Sequence, residues 1–162
     1  MRQLLFTCLL TIITANGMAQ LKEQSNKHFS NTEETTARPE TIWKIWTDVS
    51  GWKNWDIGLK NATMEDSFHL GTIGKITSLE GRKSKFKVVA FEANKSYTFK
   101  TKLPLGALYV KRTLRVENDL TYFTHEVWFK GFTSGIFAKK FGPKFREMLP
   151  RVMANIKTIA EK

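Results

Sequence analysis

The sequence predicts an α+β domain in which a curved antiparallel β-sheet packs around a long C-terminal α-helix. Apolar residues between positions 141 and 159 recur at steps of three and four, which places them on one stripe of a helix. The segment from about residue 59 to residue 131 consists of short apolar runs separated by turn residues, a pattern typical of antiparallel strands. A helix with one apolar side needs a broad apolar surface, and such a sheet supplies it.

Length and charge fit one globular domain with a basic surface. The chain has 162 residues, of which 41% are hydrophobic, and its formal net charge is +11. A domain of this size buries a sufficient core without disulfides or metals. The charge is compatible with a solvated surface, an anionic ligand or an acidic membrane surface. Nucleic acid is not predicted as a partner, because the sequence contains no recognised nucleic-acid-binding motif.

The N-terminus has the pattern of an export signal. Arg2 precedes an apolar run over residues 4–15, and the small residue Ala19 marks the expected cleavage point. We therefore predict a signal peptide over residues 1–19 and an exported, periplasmic or extracellular, mature protein. The run is shorter than the roughly 20 residues of a spanning helix, so a retained anchor is the alternative. Cleavage would remove Cys8, the only cysteine.

The first part of the predicted domain contains one strand and two short helices. Residues 28–37 are rich in Thr, Ser and Glu and predict a polar strand at a sheet edge. Pro39 suits the first position of the helix that follows, and Gly51 is expected to end that segment. Trp52 and Trp55 lie three apart and predict a second short helix.

The strand region ends in a hairpin whose register can be predicted. Runs at 72–79, 83–91 and 96–103 read as three strands, divided by Gly, Asn and Pro residues. Segments 107–117 and 120–130 then flank a two-residue Asn-Asp turn.

In the hairpin register, paired residue numbers sum to 237. This register separates a polar face from an apolar face, and a slip of one residue would mix the two. It places Arg112 opposite His125 on the apolar face.

The predicted last helix contains two prolines, and two apolar stretches precede it in the chain. Pro143 suits the first helical turn, whereas Pro150 removes the bond to the Arg146 carbonyl and predicts a kink. The apolar stretches 103–106 and 131–137 are predicted as loops at the same end of the hairpin. Either they form a lid over a cavity, or they hold the last helix by ordinary hydrophobic contact.

Several short patterns in this chain resemble the polyketide cyclase/dehydrase group of the START-like (SRPBCC) superfamily. They are Pro-x-x-Ile-Trp at 39–43, Thr-Asp at 47–48, Trp-x-x-Trp at 52–55 and the final helix around 142–157. The resemblance covers residues 27–161. It implies the helix-grip fold, with two short helices between strands 1 and 2 and a curved sheet wrapped around the C-terminal helix. It also implies a cavity for a hydrophobic or amphipathic small molecule, as in the lipid carriers, hormone-binding proteins and aromatase/cyclases of the superfamily.

The resemblance places the ligand between the sheet and the last helix, so inward-facing residues of both are the candidates to line the cavity. Trp52 and Trp55 are expected at its rim, whereas Trp43 and Trp46 are expected to pack the first helix onto the core. The candidate ligand-binding residues are Trp52, Trp55, Phe86, Val88, Phe99, Val110, Arg112, Phe123, His125, Val127, Phe141, Phe145, Met148 and Val152.

Arg112 and His125 are the most informative pair, because charged and polar groups on an apolar face are unfavourable unless partnered. In one interpretation Arg112 binds a carboxylate or phosphate of the ligand through two parallel bonds. His125 would assist by hydrogen bonding or proton transfer. In the other, the pair is structural and is satisfied by water or by a carboxylate such as Glu92 or Glu65.

Three functions are compatible with these observations. The first is an exported protein that binds a hydrophobic or amphipathic, lipid-like molecule, with an acidic head group as one form. The second is a cyclase or dehydratase in which Arg112, His125 and Tyr97 move protons. The third is a module whose basic helix face contacts an anionic membrane surface. No metal or cofactor is predicted, because His28, His69 and His125 lack the spacing of metal ligands.

Overall fold

The computed structural model describes residues 24–162. In chain order the elements are β1 (His28–Thr35), α1 (Pro39–Thr47), a 3-10 helix (Val49–Asn54), β2 (Leu59–Met64), β3 (Ile73–Ser78), β4 (Lys83–Glu92), β5 (Ser96–Leu103), β6 (Gly106–Glu117), β7 (Leu120–Gly131) and α2 (Ser134–Ala160). The predicted signal peptide lies outside the described residues. Between residues 24 and 162, no helix combines the length and the apolar character needed to cross a membrane.

The strands form one curled, seven-stranded antiparallel sheet in the order β1-β7-β6-β5-β4-β3-β2. The N-terminal strand therefore occupies one edge of the sheet that residues 24–162 form and pairs with β7, as its polar sequence predicted. The two short helices lie between β1 and β2 in the chain, and α2 packs against the concave side of the sheet. The predicted α+β helix-grip architecture is confirmed.

The β6–β7 hairpin has the predicted register. Glu117 pairs with Leu120 and Arg112 pairs with His125. Asn118 and Asp119 have φ values of 50° and 61°, in the left-handed region that a two-residue turn of this type requires. Local turn chemistry and the alternation of the two strands therefore specify the same pairing, which places Arg112 and His125 side by side.

Gly51 lies inside the 3-10 helix and does not end the preceding segment, so that prediction is wrong. Asp48 accepts a hydrogen bond from the Gly51 backbone N–H through its side chain, at 3.2 Å. A Cβ at position 51 would lie 2.4 Å from the other oxygen of the Asp48 carboxylate. Glycine is present because the capping carboxylate needs the space, and the helix continues to bring Trp52 under the sheet.

Helix α2 begins about two turns earlier than predicted, so Pro143 lies in its interior and not in its first turn. Pro143 leaves the carbonyl of Lys139 without its helical partner, and both residues are exposed to water. Most of the segment predicted as a second apolar loop, 131–137, is the first turn of α2. Gly142, which was expected at the start of the helix, is buried inside α2, and a Cβ there would lie 2.1 Å from the carbonyl oxygen of Asn26.

Candidate ligand-binding site

A cavity of about 370 Å³ lies between the concave face of the sheet and α2. Its walls consist mainly of apolar side chains from the central strands and the helix. These wall residues include Leu103, Leu108, Val110, Val127, Phe129, Phe141, Phe145, Met148, Leu149 and Val152. Because so little of the wall is polar, burial of apolar surface is the main attraction that it offers a ligand.

Most of the predicted ligand-binding residues line this cavity. They are Trp52, Phe99, Val110, Arg112, His125, Val127, Phe141, Phe145, Met148 and Val152. Four others, Trp55, Phe86, Val88 and Phe123, lie outside the cavity wall and are almost fully buried. The alternation of strand residues placed Phe86 on the inner face correctly. Trp52 of the 3-10 helix, however, stacks on the Phe86 ring at 5.1 Å and separates it from the cavity.

The guanidinium of Arg112 lies at the inner end of the cavity against two adjoining indole rings. Its guanidinium carbon lies 4.7 Å from the ring centres of both Trp52 and Trp55, and the side chain is almost completely buried. A cation over an indole face is attracted by the negative charge of the ring face. The Trp-x-x-Trp pattern therefore packs two buried indoles against the arginine, so the prediction that Trp52 and Trp55 lie at the cavity rim is wrong, and only Trp52 lines the cavity.

A buried hydrogen-bond chain fixes the orientation of the guanidinium. Nη1 of Arg112 donates to the hydroxyl of Tyr97, and this hydroxyl donates to the carbonyl oxygen of Trp46 at 3.2 Å. Nε1 of Trp52 donates to the same carbonyl at 2.9 Å. Burial raises the pKa of Tyr97 to about 12, so the phenol stays neutral. Tyr97 does not line the cavity, so its position fits orienting Arg112 rather than the proton transfer considered from the sequence.

Two side-chain nitrogen atoms of residues that line the cavity have no hydrogen-bond partner within residues 24–162. They are Nε of Arg112 and Nε2 of His125, and both are buried. The alternative that Glu92 or Glu65 satisfies the pair is wrong. Each of these carboxylates instead contacts a surface lysine, at 2.6 Å and 3.0 Å respectively. In the described chain no carboxylate lies within ion-pair distance of Arg112.

His125 is a neutral imidazole in this environment. Burial lowers its pKa well below the ordinary value of 6.5, and the neighbouring charge of Arg112 lowers it further. The ring lies 5.4 Å from the Trp46 ring and 6.2 Å from the Trp55 ring, centre to centre. Its free Nε2 can donate or accept a hydrogen bond according to the tautomer.

Asp56 also lines the cavity, although it was not among the residues predicted from the sequence. Burial raises the pKa of its carboxyl, although the hydrogen bond from the Gly58 backbone N–H, at 2.9 Å, and the charge of Arg112 oppose this shift. The available signal was its position directly after the Trp-x-x-Trp pattern, beside the second indole. The charge of Arg112 therefore acts on this carboxyl, although no oxygen of Asp56 lies within ion-pair distance of the guanidinium.

The cavity reaches the surface at the end of the sheet where the β3–β4 turn faces α2. Exposed charged residues mark the opening: Glu80, Arg82, Lys83, Lys102 and Lys144. Glu80 accepts a hydrogen bond from Lys144, and this contact, more than any other, lowers the pKa of Glu80 to about 2. Arg82 pairs with Glu80 at 3.5 Å and lies over the Phe141 ring at 5.0 Å. These contacts join the turn to the helix across the opening.

A curled antiparallel sheet that closes over a C-terminal helix and leaves a cavity between them defines the helix-grip, START-like (SRPBCC) class of proteins. Within that class the sequence profile of one family, described as polyketide cyclase / dehydrase and lipid transport, matches residues 27–161. The chain belongs to this family. Membership points to hydrophobic ligand binding or to cyclase activity. A comparison with curated proteins found no match.

Solved structures with the same fold come from several bacteria. A Mesorhizobium loti protein has a TM-score of 0.68 at 17% identity, and the match covers 83% of this chain and 97% of that one. An Arthrobacter aurescens protein has a TM-score of 0.66 at 19% identity, covering 86% and 90%. A hypothetical protein from Helicobacter pylori has a TM-score of 0.68 at 12% identity, covering 96% and 99%. At these identities the similarity concerns the fold alone.

Proposed function

We propose that this protein binds a small amphipathic molecule with a single acidic group. The apolar body of the ligand would fill the cavity, and its carboxylate or phosphate would bind Arg112. The observation on which the proposal depends is the buried guanidinium, which has an unpartnered Nε and no ion pair in the described chain. A buried charge without an ion pair is unfavourable, and an anionic ligand would relieve that cost.

One edge of the guanidinium has the geometry for such a head group, and its Nε has no partner in the described chain. Nη1 donates to Tyr97, which leaves the edge formed by Nε and Nη2. Two parallel N–H groups on that edge match the two oxygens of a carboxylate or phosphate. His125, on the cavity wall, would provide a third hydrogen bond from its free Nε2.

The size of the cavity restricts the apolar body of the ligand. Its volume of about 370 Å³ is near the lower end of the range for small-molecule sites, which begins at about 300 Å³. A single acyl chain or a compact ring system suits this space, whereas a two-chain lipid does not. Each 100 Å² of apolar ligand surface buried would contribute roughly 2.5 kcal/mol to binding.

The alternative is a cyclase or dehydratase that acts on a polyketide-like or other hydrophobic substrate in the same cavity. The observation that favours it is the unpartnered Nε2 of His125, a buried atom of a residue that lines the cavity. The lowered pKa makes this imidazole a weak base, so proton abstraction would be limited to substrates with an acidic proton. An enzyme of this kind predicts that His125→Ala abolishes turnover while the substrate is still bound.

Native mass spectrometry of the protein purified without detergent tests the proposal. We expect an acidic amphiphile to co-purify with the wild type, and solvent extraction would identify it. Arg112→Met should lose this molecule. Lys111→Met is the matched control, because it removes the same charge from the neighbouring residue on the other face of β6. A neutral bound molecule, an empty wild-type cavity or equal retention by Arg112→Met would overturn the proposal.

We further propose that the protein acts outside the cytoplasm. The apolar run at residues 4–15 followed by Ala19 supports export, and the mature chain would then begin at Gln20. In that setting the cavity would take up a ligand from the periplasm, from the medium or from a membrane surface.

A further inference from the structure

Large apolar side chains are exposed at the end of the domain where the cavity opens. Leu79 is 61% exposed, Leu105 74%, Phe132 91% and Ile136 70%. They come from three separate segments: the β3–β4 turn, the β5–β6 turn and the junction between β7 and α2. Leaving four such side chains in water is unfavourable, and a group of them at one place indicates a surface that meets something apolar.

These three segments are neighbours in space. The backbone N–H of Phe132 donates to the carbonyl oxygen of Leu105 at 3.0 Å, which joins the β7–α2 junction to the β5–β6 turn. Glu80, in the β3–β4 turn, contacts Lys144 of α2. The strand registers place all three turns at the same end of the sheet. We call this surface, formed by residues 79–83, 102–106 and 130–140 with Lys144, the mouth end.

The mouth end is strongly basic. Its cationic residues are Arg82, Lys83, Lys102, Lys130, Lys139, Lys140 and Lys144. Glu80 is its one carboxylate, and it is already paired with Lys144. The turns at the opposite end of the sheet hold many of the acidic residues, namely Glu65, Asp66, Glu92, Glu117 and Asp119. Three of these acidic residues, Glu65, Glu92 and Glu117, pair with Lys75, Lys95 and Arg115. The excess of cations therefore lies at the end where the cavity opens.

We infer that the mouth end docks on an anionic lipid bilayer. Leu79, Leu105, Phe132 and Ile136 insert among the lipids, and the surrounding lysines and arginine lie against the phosphate groups. Stable attachment to a membrane surface generally requires two signals, apolar insertion and a basic patch, and this surface has both. Each cation near an anionic bilayer strengthens attachment by about fivefold. A protein partner would not explain a ring of one charge around an apolar centre as simply.

Docking in this orientation would place the cavity mouth against the lipid head groups. The acidic head of an amphiphile lies at the bilayer surface, so it would enter the cavity first and reach Arg112, with the apolar body following. This entry route rests on the proposed function. The docking itself does not, because it depends on the exposed surface and not on the content of the cavity.

Vesicle co-sedimentation of the purified protein tests the inference. We expect binding to vesicles rich in phosphatidylglycerol, weak binding to phosphatidylcholine alone, and loss of binding as salt is raised. The combined variant Leu105→Asn, Phe132→Gln and Ile136→Gln should bind about 100-fold more weakly. Asn suits position 105, whose φ of 53° is left-handed. The matched control is Leu70→Gln with Val116→Gln, since both are 58% exposed at the opposite end.

Several outcomes would overturn the inference. These are equal binding to both kinds of vesicle, unchanged binding by the triple variant, and an equal loss in the control. An oligomer that the triple variant dissociates, without vesicle binding, would show that the surface joins two copies of this chain. All variants have the same N-terminus, so its own membrane affinity does not affect the comparison. Arg112→Met should bind vesicles like the wild type, which separates failure of docking from failure of the proposed ligand site.

Discussion

Replacing Arg112 by methionine should weaken ligand binding strongly and change stability little. Methionine keeps much of the length and apolar volume of the side chain but removes the guanidinium. The wild-type guanidinium makes one buried hydrogen bond, to Tyr97, and two contacts with indole faces at 4.7 Å. The substitution removes these attractions and, at the same time, removes a buried charge that has no ion pair in the described chain.

The two effects on the free energy of unfolding are of similar size. The hydrogen bond contributes about 1 kcal/mol, and each desolvated cation–π contact contributes about 1–2 kcal/mol. Burying a charged group costs several kcal/mol, which the substitution recovers. We therefore expect the free energy of unfolding to stay within about 2 kcal/mol of the wild-type value.

The loss of affinity for an anionic ligand is not offset in this way. Two charge-assisted hydrogen bonds, each contributing at least about 1.5 kcal/mol, would be lost, which corresponds to a dissociation constant about 100-fold higher. Calorimetric titration with decanoate, and with its methyl ester as the uncharged comparison, measures this difference. Urea unfolding of the same samples measures stability, and Lys111→Met controls for net charge.

The result that would refute this reasoning is a large loss of stability with unchanged decanoate affinity. It would show that the arginine is a structural part of the core. Equal weakening of the acid and of the ester would refute the head-group contact, because Arg112 would then act only through the shape of the cavity.

Three further predictions concern pH, the cavity opening and export. Because burial lowers the pKa of His125, the unfolded chain takes up the proton first, so stability should fall as the pH drops below about 6.5. Compared with His125→Gln, the wild type should lose up to about 1.4 kcal/mol per pH unit in urea unfolding, and parallel profiles would contradict this. Glu80→Gln removes the contact with Lys144 across the opening. Stopped-flow release of a bound fatty acid should then become faster, by less than about fivefold, and a slower release would exclude a role in closure. N-terminal sequencing of the protein from the periplasm or medium should begin at Gln20, whereas a chain that retains Met1 would contradict cleavage after Ala19.

The β6–β7 hairpin is a part of the fold that could be predicted from the sequence. Two successive residues at φ > 0, Asn118 and Asp119, define a two-residue turn, and the alternation of the flanking strands defines the faces. Both signals are local, so together they gave the pairing of Arg112 with His125 although these residues are distant in the chain.

The start of α2 could not be predicted from the sequence, because glycine and proline occur both at helix ends and inside helices. Gly142 and Pro143 read as the beginning of a helix, yet both lie inside α2. The glycine is required because the segment at Asn26 crosses the helix at that point. This close approach is a tertiary contact between distant parts of the chain, and no local pattern indicates it.

The site was predicted only in part for a similar reason. The alternating strands and the helical stripe identified most of the cavity wall, and the register identified Arg112 with His125. The position of Trp55 beside the guanidinium depends on how the 3-10 helix packs under the sheet, and so does the presence of Asp56. The contacts of Glu80 at the opening join a turn to the middle of a helix, and nothing near it in the sequence specifies its partner.

The two indole rings that contact Arg112 also make the protein an optical reporter of its own occupancy. Indole emission depends on the electric field at the ring, and the guanidinium charge lies 4.7 Å from both Trp52 and Trp55. An anion arriving at that charge changes the field on both rings together. Ligand exchange is therefore expected to be visible as a shift in intrinsic fluorescence, without any added dye, and Trp52→Phe should reduce the signal.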